Sequence, residues 1–132
     1  MNEKEIKATR AAAVKIYDWC KKKYGRSKYN GRYPDLFYRK GDRLIESIYG
    51  IYDCEDNYIY INKDNVDTIE ELASTIIHEY THYKQNIRVD YTVLSKYFDP
   101  FTENHPLEKE AEDISKRDYK QCLYEVFGIN VE

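Results

Sequence analysis

Hydrophobic residues recur at helical spacing near the start of the chain. Across residues 3–24 apolar side chains stand three or four positions apart, which indicates a helix with one buried face. Gly25 follows directly and is suited to end this helix. A shorter stretch at residues 93–97 fits a single helical turn in an otherwise irregular segment.

Two further helices are predicted in the middle and at the end of the chain. Thr68 opens the sequence TIEE, which fits a capping box with Glu71 at the third helical position. The helical pattern then continues to residues 86–87. The last helix is predicted over residues 106–127, because proline is favoured in a first turn and Gly128 can end the helix.

Between the first two helices the pattern changes to that of β-strands. Residues 44–62 are rich in Ile and Tyr, and the sequence CEDN at 54–57 suits the turn of an antiparallel hairpin. The preceding segment, 25–43, has three of the five glycines and reads as a loop with one short strand at 36–39. We therefore expect a single α+β domain over residues 1–132, with helices around a small antiparallel sheet.

Composition excludes several classes of protein. The net charge is −3, and basic residues prevail in the first half and acidic residues in the second, so the chain is not a uniformly basic nucleic-acid binder. No apolar run approaches the roughly 20 residues of a membrane span, and the N-terminus does not resemble a secretory signal. The three cysteines are widely spaced and form no CxxC pair. These features favour a reducing, cytoplasmic location.

The middle helix carries the sequence HEYTH, an HExxH motif. His78 and His82 are four residues apart, so they project from one side of the helix and can reach one tetrahedral ion. Glu79 lies about 100° around the helix from His78. That position suits a group that accepts a proton from water rather than one that binds the ion. We predict a Zn²⁺ site with two histidine ligands and Glu79 as general base.

A catalytic zinc ion needs a third protein ligand. The compact motif HExxHxxGxxH is absent, because Gln85 and Arg88 occupy the required glycine and histidine positions. The chain offers instead the sequence ENHPLEKEAED at residues 103–113. Together with HExxH, this sequence resembles the gluzincin group of zinc metallopeptidases, particularly its minimal members, many of which are small phage or bacterial domains. The resemblance implies a zincin-like fold in which a later helix provides a glutamate ligand.

The resemblance assigns roles within the predicted C-terminal helix. Glu108 matches the ligand position of the pattern E-x-x-A-[DE], and Glu112 matches the acid that supports a zinc histidine. Their i, i+4 spacing puts both on one face. In a different register Glu110 is the ligand, with Asp113 or Glu112 in support. His105 is a rival third ligand, as in three-histidine zincins associated with DNA–protein crosslink processing.

The resemblance also implies hydrolysis of peptide bonds by a water molecule that the HExxH glutamate activates. The transition state needs a further hydrogen-bond donor, for which Tyr91, Tyr97 and His105 are candidates. Zincins hold an extended substrate against the edge strand of a sheet. Either 48–53 or 58–62 could be that strand, and the sequence does not distinguish them.

A second class of function is suggested by the basic, tyrosine-rich segment 21–43. Lys21, Lys22, Lys23 and Arg26 alternate with tyrosines, a composition that can bind single-stranded nucleic acid or an acidic protein. A solvated loop after a helix C-terminus, which favours cations, explains the same charges. The alternatives to a peptidase are therefore a zinc-binding interaction module without turnover and a nucleic-acid-associated zincin, of which nucleic acid is the less favoured partner.

Overall fold

The fold consists of helices packed around a small three-stranded sheet. The structure is a computed structural model that describes residues 6–41, 48–99, 102 and 104–131. No helix in these ranges combines the length and the apolar character needed to cross a membrane. In chain order, the elements are α1 (Arg10–Tyr24), β1 (Asp35–Arg39), β2 (Gly50–Asp53), β3 (Tyr58–Asn62), α2 (Ile69–Lys84), α3 (Ile87–Leu94) and α4 (Pro106–Phe127).

The sheet is mixed, with strand order β1-β3-β2. The antiparallel pairing of β2 with β3 confirms the predicted hairpin, while Leu44–Ser47 of the predicted β segment lie outside the described residues. The expectation of a purely antiparallel sheet is wrong, because β1 pairs parallel to β3, with Leu36 opposite Ile59. A parallel pair is joined by a long connection, so no local turn sequence announces it. The predicted strand at 36–39 is confirmed as β1.

The first helix begins later than its hydrophobic pattern suggests. Thr9 is extended, and its side chain accepts a hydrogen bond from the Ala12 N–H, so α1 starts at Arg10. Lys7 forms an isolated antiparallel bridge with Thr68, which takes the preceding segment out of the helix. Of the predicted start, residues 3–5 lie outside the described part of the chain. The predicted end is confirmed by Gly25, whose φ is 73°.

Helix α2 occupies the centre of the molecule and packs against α1, α4 and the sheet. Its predicted start is confirmed, since the Thr68 side chain accepts a hydrogen bond from the Glu71 N–H at 3.1 Å. The helix ends at Lys84, slightly before the predicted end. One face of this helix is apolar and buried: Ile69, Leu72, Ala73, Ile76, Ile77, Tyr80 and Tyr83.

Helix α4 has the predicted bounds, and Gly128 follows it in the left-handed conformation, with φ 70°. Ala111 is fully buried in this helix, which packs extensively on α2. The helical turn predicted at 93–97 is misplaced, because α3 begins at Ile87 and ends at Leu94. None of the α3 residues is buried, so the hydrophobic pattern there is a weak guide to its bounds.

The three cysteines are free thiols in different surroundings. Cys20 of α1 and Cys122 of α4 are fully buried, whereas Cys54 in the β2–β3 turn is half-buried. Burial raises the pKa of the Cys20 thiol, and it raises that of Cys122 to about 12. Both enclosed thiols therefore belong to the core.

Candidate metal centre

The packing of α4 on α2 brings together His78, His82 and Glu108. One Glu108 carboxylate oxygen lies 3.2 Å from His78 Nε2, and the other lies 3.1 Å from His82 Nε2. One potential ligand atom from each residue lies within 4.8 Å of the other two. Within the described ranges, these three residues form the group that could hold a metal ion.

The structure distinguishes between the two registers considered for the third ligand. Glu108 faces both histidines, whereas the Glu110 side chain accepts a hydrogen bond from Gln85 Nε2 at 2.9 Å. Asp113 is exposed on α4. Of the acids considered for the ligand position, Glu108 is therefore the one that reaches the histidine pair.

The second nitrogen of His78 faces another carboxylate. Glu112 approaches His78 Nδ1 at 3.4 Å, which is the supporting position predicted for it. Its other oxygen lies 3.5 Å from Lys116 Nζ, and its side chain remains 45% exposed. Glu112 thus orients the His78 ring from the solvent side of the site.

The second nitrogen of His82 faces an amide, which the sequence analysis did not identify. Gln85 Oε1 lies 2.7 Å from His82 Nδ1, and both side chains are buried. In the sequence analysis, Gln85 appeared only as the residue that replaces the glycine of HExxHxxG. A signal was nonetheless present, because a polar residue three positions after a ligand histidine can reach back to that histidine. Its use depends on α2 ending at Lys84, which the sequence did not predict.

The charges of the site are strongly coupled. Burial lowers the pKa of both histidines, but hydrogen bonds to Glu108 and the nearby negative charges of Glu79 and Glu108 outweigh burial, so both pKa values are raised. Burial acts to raise the pKa of Glu108, yet its bonds to the two histidines bring that pKa well below the usual range. A carboxylate held between two imidazoles favours positive charge at this point, whether the charge is carried by protons or by a cation.

Glu79 lies beside the three converging residues rather than among them. Its side chain is buried, and burial raises the pKa of its carboxyl group against the opposing influence of His82 and His78. The Tyr52 backbone N–H in β2 donates a hydrogen bond to this carboxylate. Glu79 is therefore a buried carboxylate at the margin of the site, in the position that the HExxH spacing predicted.

The three candidate donors occupy very different positions. The Tyr91 hydroxyl in α3 donates a hydrogen bond to Glu108 at 2.9 Å and lines the cleft. Tyr97 is 78% exposed and is not part of the cleft wall. His105 is fully buried as the N-cap of α4, where its Nδ1 accepts a hydrogen bond from the Leu107 N–H at 3.2 Å. The structure therefore brings Tyr91 to the site and leaves Tyr97 and His105 away from the histidine pair.

The site opens into a cleft of about 1120 Å³ between β2, α2, α3 and α4. Of the two strands that could border a substrate, β3 is central in the sheet and β2 is an outer strand. Gly50, Ile51 and Tyr52 of β2 line the cleft directly. Of the two strands considered in the sequence analysis, β2 is therefore the one that borders the cleft along an edge of the described sheet.

The basic segment lies apart from the cleft and uses most of its aromatic residues internally. The Tyr24 hydroxyl donates to Asp118 at 2.7 Å, and Tyr33 packs near Tyr83. Lys21 pairs with Asp18 at 3.3 Å. Few rings are left for stacking on a partner, although the positions 42–43 of this segment are outside the described residues. The exposed members of the described segment include Lys22, Lys23, Arg26 and Tyr29.

Comparisons with protein-family models, with curated proteins and with solved structures gave no match. The choice of metal therefore depends on the donors themselves. Two imidazole nitrogens and one carboxylate oxygen form a set that suits Zn²⁺ in catalytic sites. The second nitrogen of each imidazole is already engaged, by Glu112 for His78 and by Gln85 for His82, so the donors fit this ion.

Proposed function

We propose that this chain is a zinc-dependent peptidase with a zincin-like fold. His78, His82 and Glu108 hold the ion, and Glu79 is the general base. The observation that supports this proposal is the convergence of three zinc-type donors, with a buried carboxylate beside them, in a cleft bordered by the outer strand of a sheet. The gluzincin resemblance points to the same set of residues.

The reaction divides the work between the ion and the chain. When bound, Zn²⁺ supplies Lewis-acid polarisation of a carbonyl group and lowers the pKa of water. Glu79 accepts the proton of the attacking water and passes it to the leaving amine. Its buried carboxyl group has a raised pKa, which brings its proton affinity closer to that needed for both transfers. The Tyr52 N–H keeps the carboxylate in place.

Tyr91 provides a hydrogen-bond donor inside the cleft. Its hydroxyl donates to Glu108 in the absence of substrate, and its ring stacks on His105 with centroids 4.2 Å apart and planes inclined by 15°. A hydroxyl held this way can stabilise the oxyanion that develops during hydrolysis. Tyr91 is therefore the transition-state donor in this proposal.

The substrate in this proposal is an extended peptide that adds to the edge of β2. The Tyr52 N–H points away from β3 toward Glu79, and residues two apart in a strand present their backbone groups to the same side. Gly50 therefore also faces the cleft with its N–H and carbonyl groups. Because Glu79 already uses the Tyr52 N–H, strand addition uses the backbone groups of Gly50 and the Tyr52 carbonyl, and it places a peptide backbone alongside the proposed general base.

The test compares wild type with Glu79→Gln, measuring zinc content and cleavage of a mixed library of unstructured peptides by mass spectrometry. We expect one zinc ion per chain in both proteins and a loss of cleavage of about 10²–10⁴-fold in the variant, the usual contribution of a general base. Glu70→Gln, on the same helix and also in the cleft wall, is the matched control and is expected to retain activity. Full activity of Glu79→Gln would falsify the mechanism.

The same experiment tests the first alternative, and a nucleic-acid binding assay tests the second. Stoichiometric zinc without cleavage of any peptide would instead support an interaction module. Salt-dependent binding of single-stranded nucleic acid that is lost on neutralising Lys22, Lys23 and Arg26 would support a nucleic-acid-associated zincin.

A further inference from the structure

Gln85 joins the end of α2 to the beginning of α4. It follows α2 directly, and its side chain is 8% exposed. The amide makes three hydrogen bonds: Oε1 to His82 Nδ1 at 2.7 Å, Nε2 to the Leu107 carbonyl at 3.0 Å, and Nε2 to Glu110 at 2.9 Å. Leu107 and Glu110 stand on either side of Glu108 in sequence. One amide thus contacts a histidine of the centre and the helical turn that carries the carboxylate.

The partners of this amide determine its orientation. A backbone carbonyl can only accept a hydrogen bond, and an ionised Glu110 also accepts, so the NH₂ group must face Leu107 and Glu110. The amide oxygen is then left to face His82. Because an amide oxygen is only an acceptor, His82 Nδ1 must carry the proton and donate it. Glu108 faces Nε2 at 3.1 Å and also only accepts, so without a cation both ring nitrogens face acceptors. A cation beside Glu108 would use the Nε2 lone pair while the Nδ1 proton stays with Gln85.

The two histidines are supported in different ways. Glu112 supports His78 through a charged side chain at 3.4 Å that is 45% exposed and shared with Lys116. Gln85 supports His82 through a shorter contact of 2.7 Å. Its amide is buried and neutral, and it donates two further hydrogen bonds, to the Leu107 carbonyl and to Glu110. A neutral amide fixes the ring without adding a further negative charge beside Glu79 and Glu108.

We propose that Gln85 is a positioning residue, which fixes the orientation of the His82 ring, keeps the proton on Nδ1 when Nε2 binds an ion, and holds the Glu108 turn of α4 at ligand distance. Glu110 supports this role by keeping the Gln85 amide in one orientation. The inference depends on the proposed metal site, and it adds a residue outside the HExxH motif to that site.

The test uses Gln85→Met, which keeps the length of the side chain and removes all three hydrogen bonds. In zinc-loaded protein we expect nitrogen NMR to show His82 protonated at Nδ1 in wild type, with that proton protected from exchange by Gln85. We expect Gln85→Met to lose this protection while the Nδ1 proton of His78 is unchanged. Zinc affinity should fall about 10–100-fold, the usual cost of removing such a partner. Gln121→Met, an exposed glutamine of α4, is the matched control and should change neither measurement.

A milder variant covers the case in which Gln85→Met does not fold. Glu110→Ala removes one acceptor of the amide and leaves the Leu107 carbonyl, so zinc affinity should fall by less than in Gln85→Met. Zinc-loaded wild-type protein in which the Nδ1 proton of His82 is absent or unprotected overturns the inference, as does unchanged zinc affinity in a folded Gln85→Met protein. Neither measurement needs turnover, so these results are distinct from a failure of the proposed peptidase activity.

Discussion

The helices that border the cleft differ in how deeply their residues are buried. The α2–α4 side contains fully or largely buried residues such as Ala111, His82 and Leu123, and it supplies the three potential ligands. Helix α3, which also borders the cleft, has no buried residue and exposes Val89 and Val93, yet it supplies the Tyr91 hydroxyl. Groups that must hold a fixed geometry thus lie in the packed region, and a group that can change partners lies on the exposed helix.

This difference indicates how binding and reaction can be separated. On the α2–α4 side, a change that moves one ligand also disturbs buried neighbours, so affinity for the ion and stability of the fold are linked there. On α3, a hydroxyl can be removed without opening a cavity in the core. The following predictions concern residues of the packed side, of α3 and of the surface.

The largest effect is expected from Glu108→Ala. Loss of the carboxylate leaves two ligands where a catalytic zinc site uses three. We expect substoichiometric zinc after dialysis and no detectable cleavage, measured by metal analysis and peptide assay. Asp113→Ala, a change of an exposed acid five residues further along α4, should bind zinc as wild type does. Equal zinc content in the two variants would contradict the ligand assignment.

The next effect is the dependence of zinc binding on pH. The raised pKa values of His78 and His82 mean that protons leave these rings at higher pH than they leave free imidazole. Since a proton and the ion compete for the same nitrogens, zinc affinity should fall as pH drops, by up to about 100-fold per unit where both rings titrate. Competition titration against a chelator at several pH values measures this slope. An affinity that is independent of pH would exclude the two rings as ligands.

A smaller effect is expected from Tyr91→Phe. The substitution removes the hydroxyl that donates to Glu108 and retains the ring that stacks on His105. We expect kcat to fall about 10–100-fold, with one zinc ion retained per chain. Tyr97→Phe removes a hydroxyl from a side chain that is 78% exposed and should leave kcat unchanged. Equal rates for the two variants would remove Tyr91 from the mechanism.

The smallest effect concerns stability alone. Ala111→Leu adds volume where α4 packs against α2 and should lower the free energy of unfolding by about 1–3 kcal/mol. Val93→Leu enlarges a side chain that is 49% exposed on α3, and the change should stay within about 0.5 kcal/mol. Denaturant titration of both metal-free variants makes the comparison. A larger loss for Val93→Leu would show that α3, rather than the α2–α4 side, is the tightly packed one.

The sequence predicted those parts of the fold whose signals are local. Thr68 and Gly128 mark helix ends through their own conformation and hydrogen bonds, and the bounds they indicate agree with the structure. The predicted start of α1 was wrong, because Lys7 pairs with Thr68, about sixty residues away in sequence. The parallel pairing of β1 with β3 was missed for the same reason. Contacts between distant segments leave no periodic pattern.

The candidate site shows the same division. HExxH and the E-x-x-A-[DE] pattern identified residues that the structure brings together. Each motif lies within one helix, where the spacing of its residues determines which of them share a face. Gln85 was missed, since its role depends on where α2 ends and on a carbonyl of α4. Tyr91 lies in the cleft and Tyr97 outside it because of where α3 lies. The sequence gives little indication of that position, since α3 has no buried face to produce a hydrophobic pattern.

The three cysteines are buried to different extents, so the rate at which each is alkylated reports how often the helices separate from the core. Alkylation needs the thiolate, and in Cys20 and Cys122 the raised pKa and the complete burial both suppress it. An alkylating reagent should therefore modify Cys54 first and reach the other two only when α1 and α4 separate from the core. The number of labels per chain, followed over time by intact mass, then measures how often the helix that carries Glu108 detaches, and a ligand that ties α4 to α2 should slow the second and third additions.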